Sequence, residues 1–304
     1  VPLPCLPALE TALTTDLKTA LAPAWRLLRQ VGQGWLADYV PSMGAALAYY
    51  TMFSLAPLLL IVVSVAGLVF GEEAARGEIQ AQLSALMGAR GALAVQDLLS
   101  SVRQPAQGVA ASGLGLLLLL VGATTVFGEL QDALDRIWRA PLPPGAGGWL
   151  GLVRARLLSF GMILAIGFLL MVSLVTSAAV TLVGRWWTPL FGGWTLVAAA
   201  ADAAGNFVFV AAMFALIYKV MPRVRVHWKD VWIGALFTAL LFMAGKSVIG
   251  LYVGHSGVTT AFGAAGSLVV VLLWVYWSAQ IFLLGAEFTW VYANQFGSRS
   301  GAPH

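Results

Sequence analysis

The chain has 304 residues, 60% hydrophobic and 10% charged, with seventeen Lys and Arg against thirteen Asp and Glu and a formal net charge of +4. Soluble globular domains carry about a quarter charged residues, so this balance excludes a water-soluble enzyme and implies a chain that crosses a membrane repeatedly. The small basic excess reports loop orientation rather than a nucleic-acid surface, and the single cysteine, Cys5, excludes an internal disulfide and a cysteine-based metal cluster.

Residues 1–40 are expected to form a cytoplasmic amphipathic lead-in. Pro2, Pro4, Pro7 and Pro23 break its start, and Trp25, Leu28, Val31 and Leu36 face one way along a helix lying at the membrane surface. VPLPCL offers no basic n-region or apolar h-region, so targeting is expected from the first membrane helix. The membrane domain is expected over residues 43–291, with six spans at 43–70, 109–128, 157–183, 195–221, 231–253 and 267–291. Pro57 predicts a kink in the first of these, because it removes one backbone donor. Residues 71–108 read as an external insertion of two short amphipathic helices, broken near Gly88 and Gly91. The second span runs into ELQDALDRIWR, whose Leu130, Leu134, Ile137 and Trp138 share one side, before the Pro- and Gly-rich Ala140–Gly148 stops it. Residues 292–304 form a short cytoplasmic tail.

The distribution of Lys and Arg fixes the expected orientation. Lys18, Arg26, Arg29, Arg136, Arg139, Arg154, Arg156, Lys219, Arg223, Arg225, Lys229 and Arg299 fall on one side, against Arg76, Arg90, Arg103 and Arg185 on the other. The positive-inside rule places both termini in the cytoplasm, with anionic headgroups as the partners of the basic side. Three plus three spans would permit an inverted repeat, but the two halves share only apolar bias.

Four segments carry a resemblance. ALAYYTMFSLAPLLL (46–60), VFGELQDALDRIW (126–138), RVRVHWKDVWIGAL (223–236) and FGAAGSLVVVLLWVYWSAQIFLLGAEF (262–288) fix polar residues within apolar runs. In this order the chain resembles the YihY/virulence factor BrkB family of bacterial inner-membrane proteins, historically labelled ribonuclease BN. The resemblance implies a six-helix integral membrane protein and, in some members, a link to envelope integrity. It brings no agreed reaction, substrate or catalytic residue. The ribonuclease label fares poorly on chemistry, because His227, His255 and His304 are scattered and no HxH, DxD or HxxEH spacing supplies a metal or acid–base centre.

Two sets of polar residues demand an explanation, since a charge at mid-bilayer costs about 2.5–3.5 kcal/mol even on a lenient scale. Asp202 and Lys246 lie at similar depth on consecutive spans, roughly 10 Å from the outer surface by helical rise, and with Asn206 form a candidate polar site. The competing reading is a structural ion pair or a snorkelling lysine. Gln280 and Glu287 share a face of the last span, and Arg136 or Arg139 is placed to meet Glu287 near the cytoplasmic end, as a structural clamp or a proton carrier. Tyr49 and Tyr50 join this cytoplasmic-side set or simply anchor the first span at the interface. GxxxG spacings at Gly67–Gly71 and Gly250–Gly254 are read as packing within the bundle, with a homo-oligomer as the alternative.

The expectation is an all-α polytopic membrane protein of six spans in the bacterial inner membrane, not an enzyme, with no catalytic residue, metal or cofactor and no nucleic-acid partner. Two functions stay open: a transporter or flippase-like protein for a lipid or amphiphile, lacking an ATP motif, and a non-transporting scaffold for envelope assembly that binds a protein partner.

Overall fold

A computed structural model of the chain describes residues 25–54, 91–97, 125–141, 194–255 and 265–300, with isolated positions between them. The expected third span and most of the first two lie outside the described residues, as do the side chains of residues 194–199, 201 and 202. Every described element is a helix. In chain order they are α1 (25–54, interrupted at 38–39), α2 (91–97), α3 (125–137), α4 (Trp194–Val220), α5 (Trp228–His255) and α6 (Gly266–Gln295).

Three of them, α4, α5 and α6, are long and apolar enough to cross a membrane. They coincide with the last three expected spans: α4 is shifted by one residue, and α5 and α6 extend beyond the expected bounds by one to four residues at each end. Their composition explains both properties: α4 runs through Ala, Val and Phe with its one cation, Lys219, in the last turn, and α5 carries Asp230 in its first turn, charges that complement the helix dipoles. The turn between α4 and α5 is short, so the two are antiparallel neighbours.

α6 is antiparallel to α5, and the register is set by small residues. A Cβ on Gly234 would lie 1.8 Å from Thr289 Oγ1, and one on Gly285 would lie 1.9 Å from Thr238 Oγ1. Hydrogen is therefore the only side chain that permits this approach of α5 to α6. Further along, Gly245 receives Ile281 in the same way. The Tyr218 hydroxyl of α4 donates to the Phe282 carbonyl at 2.6 Å and lies 3.0 Å from Thr238 Oγ1, tying all three helices at one buried point. Gly250, where a helix contact was expected, instead faces open space.

One core joins α1, α3, α4, α5 and α6, with Trp138, Leu134, Ile137, Tyr218, Val231 and Leu283 fully buried in it. The α3 face expected from Leu130, Leu134, Ile137 and Trp138 packs into this core. The lead-in face is different: Val31 is buried with Leu27 against Val291, whereas Trp25, Leu28 and Leu36 are exposed. A straight-helix reading put the apolar residues together, but α6 takes the face that bears Leu27, Val31 and Gly34. At the opposite end of the bundle, Ala94 and Val95 of α2 pack on Ile249, Val253, Val270 and Val271, so this part of the 71–108 insertion caps the far ends of α5 and α6.

Candidate functional site

The end of the bundle that carries the 221–227 turn and the end of α6 holds the polar chemistry. Arg26, Arg29, Arg136, Arg139, Lys219, Arg223, Arg225, Lys229 and Arg299 all belong to segments that meet there, and Lys246 is the one described cation along a span. Four of these cations sit on aromatic faces: Arg136 over Tyr39 at 5.4 Å, Arg139 over Trp290 at 4.7 Å, Lys219 over Trp228 at 5.4 Å and Arg299 over Trp138 at 5.4 Å. Such pairing lets a cation rest at an apolar boundary without leaving water entirely.

Below this collar lies Glu287, 1% exposed on α6. Gly34 of α1 makes its burial possible: a Cβ there would stand 2.7 Å from Glu287 Oε2. One turn on from Gly34 stands Asp38, and its carboxyl and the Arg139 guanidinium both act on Glu287 electrostatically. Asp38 Oδ2 and Glu287 Oε1 have no hydrogen-bond partner among the described residues.

The backbone bends to build this arrangement. After Asp38 N–H closes a turn on the Gly34 carbonyl at 2.8 Å, Tyr39 adopts φ 56°, and the helix restarts with Ser42 and Met43 N–H on the Tyr39 carbonyl. Pro41, in the first turn of the restarted helix, sits where a missing N–H costs nothing. At the end of α3, Arg139 adopts φ 50° while Ala140 N–H reaches the Asp135 carbonyl at 2.8 Å, a left-handed helix stop usually given to glycine. Tyr39 and Arg139 are the two non-glycine positive-φ positions among the described residues, and both border the Asp38–Glu287 contact.

Of the residues singled out by sequence, Glu287 and Arg139 are brought together, and Arg136 sits beside them on Tyr39. Gln280 lies two turns along the same face, with Nε2 donating to the Val40 and Pro41 carbonyls at 3.4 and 3.5 Å and packed against Gly44. Tyr49 and Tyr50 are not part of the group. Tyr49 is 54% exposed and meets Phe53 edge-on at 4.9 Å, as an interface anchor does. Asn206 and Lys246 are half-buried on α4 and α5, and the Asp202 side chain lies outside the described residues.

Sequence reading missed Asp38, because one acid just before a span looks like ordinary boundary charge. It also missed two ties at the same end. Asp135 accepts the Arg223 backbone N–H at 2.8 Å and lies 3.2 Å from its guanidinium, a charge contact rather than an aligned hydrogen bond. The turn between α4 and α5 brings Arg223 to it across 88 positions of the chain. Burial raises the Asp135 carboxyl above its ordinary value, with the Arg223 N–H and charge pulling it back. Asp230, 2% exposed at the start of α5, accepts Ser298 Oγ–H at 2.5 Å and Ser298 N–H at 3.3 Å, and so holds the segment after α6 against the bundle.

The virulence factor BrkB family model matches residues 31–304. A membrane protein of Pseudomonas paraeruginosa, described as UPF0761, is 29% identical over 262 residues, covering 85% of this chain and 60% of its own length. UPF0761 membrane proteins of Tolumonas auensis and Pseudoalteromonas translucida are 27% and 28% identical, over 83% of this chain and 80% and 81% of theirs. The chain thus spans about 60% of the length of the Pseudomonas relatives it matches. No solved structure matches. With apolar helices of spanning length and a family match that takes in most of α1 and everything after it, the chain belongs to the virulence factor BrkB family of membrane proteins.

Proposed function

We propose that this protein moves a lipid or other amphiphile across the bacterial inner membrane. The observation that carries the reading is Glu287: a carboxyl 1% exposed, with an oxygen that has no partner among the described residues, on a helix otherwise fit to span the bilayer. An ionisable group in such a place is costly and marks a pathway or coupling site more often than a fold element. In this reading the basic, aromatic-lined end faces the cytoplasm and anionic headgroups, with both termini on that side. Asp202, Asn206 and Lys246 form a second polar site toward the outer face.

The second reading, a membrane scaffold for envelope assembly, draws support from the close α4–α5–α6 packing around Tyr218, whose hydroxyl is fully engaged. The two separate in reconstituted proteoliposomes carrying a headgroup-labelled phospholipid. A transporter accelerates exchange of the label between leaflets, and Glu287→Gln abolishes the acceleration at unchanged protein abundance. Exchange equal to that of empty vesicles across anionic and zwitterionic lipids sinks the transport reading.

A further inference from the structure

We propose that Asp38 and Glu287, at the seam of α1 and α6, form a binding site for one small monovalent cation, a proton or a sodium ion. This deepens the transport reading by naming the ion at its site, and it rests on that reading for its purpose though not for its measurement.

The argument starts from charge. Asp38 stands one turn beyond Gly34, the residue against which Glu287 packs, and Arg139, the cation nearest to Glu287, is held on the face of Trp290. Among the described residues, two carboxylates beside one guanidinium leave one negative charge unbalanced in a seam where Glu287 is almost wholly buried. An uncompensated buried charge costs several kcal/mol, so one more positive charge belongs there. Several other ionic groups at this end are held elsewhere: Arg136 lies over Tyr39, Arg299 over Trp138 and Lys219 over Trp228, Asp135 faces Arg223, and Asp230 holds Ser298.

Chemistry narrows the occupant. The unpartnered atoms that the pair itself presents, among the described residues, are the oxygens Asp38 Oδ2 and Glu287 Oε1, with Gln280 Oε1 further along the same face. Oxygen-only sets suit hard cations, and a deficit of one charge selects a monovalent one. The space is small, since Gly34 lies within contact of Glu287. Geometry adds an independent sign. The left-handed residues Tyr39 and Arg139 flank the pair, and strained backbone at non-glycine positions concentrates at functional sites.

The test uses the full chain in nanodiscs of phosphatidylethanolamine and phosphatidylglycerol. Infrared difference spectra are recorded on protein carrying carboxyl-labelled glutamate, and melting temperature is measured in sodium against choline chloride. If the occupant is a proton, a protonated carboxylic-acid band persists at neutral pH, shifts with the glutamate label and disappears in Glu287→Gln and Asp38→Asn. If it is sodium, that band is absent, and sodium raises the melting temperature saturably in the parent chain but not in either variant. The proposal is overturned when the parent chain has neither the band nor the sodium shift, or when both variants keep whichever signal the parent has. The isotope label and the sodium titration read the unmodified protein, so a variant that fails to fold leaves the decision intact. Leaflet exchange is followed on the same samples: cation binding without exchange removes the transport reading alone, and exchange without either cation signal removes this one alone.

Discussion

Asp135 illustrates how a single side chain at the water boundary balances opposing effects. Burial disfavours its ionised form more than the Arg223 backbone N–H and the nearby guanidinium favour it, so its folded pKa lies above the ordinary 3.8. The folded state then binds more protons than the unfolded one between 3.8 and the raised value, and this residue's contribution falls as pH rises through that window. Asp135→Asn keeps the acceptor for the Arg223 N–H and removes the titration. The melting temperature of the parent chain, measured relative to Asp135→Asn in nanodiscs, is expected to decline as pH rises from 3.8. A relative gain instead would mean that the Arg223 charge outweighs burial.

At the scale of elements, the last three helices were legible in the sequence because apolar runs of spanning length, broken by only a few polar side chains, leave little choice of structure. Their mutual approach was not. GxxxG spacing drew attention to Gly250, which faces open space, while the contacts fall on Gly234, Gly245 and Gly285, each opposed by a side chain of a partner helix that sequence spacing does not reveal. The same limit applied to the site: Glu287 and Arg139 stood out by type and depth, but Asp38 joins them only because α1 breaks at Tyr39 and turns Gly34 onto α6. Glycine substitutions separate these cases. Gly285→Ala pushes a methyl into Thr238 and Tyr218 and is expected to cost about 1–3 kcal/mol, whereas Gly32→Ala, with nothing within 4 Å, is expected to be neutral or to gain up to about 1 kcal/mol from helix propensity. Denaturation in mixed micelles reads both. Equal effects at the two positions would mean that the α5–α6 seam yields without cost.

At the scale of the whole molecule, the fold converts a scattered sequence feature into a directional one. Arg26 and Arg29, Arg136 and Arg139, Lys219, Arg223, Arg225 and Lys229, and Arg299 are far apart in the chain, yet the antiparallel order of α1, α4, α5 and α6 brings their segments to one end. The far end carries α2 against α5 and α6 through Ala94 and Val95. A bilayer whose inner leaflet is anionic, and an insertion process that resists moving Lys and Arg across, both favour the basic end in the cytoplasm. Ser300 and Leu93 are exposed at the two ends and report the orientation. With Cys5 replaced by serine, Ser300→Cys is expected to react with a membrane-impermeant maleimide only in inside-out vesicles, and Leu93→Cys only in intact spheroplasts. The opposite pattern would invert the molecule, placing the Asp38–Glu287 seam near the outer leaflet. Labelling of each position from both sides would mean that the chain inserts in two orientations, as a weak charge bias permits.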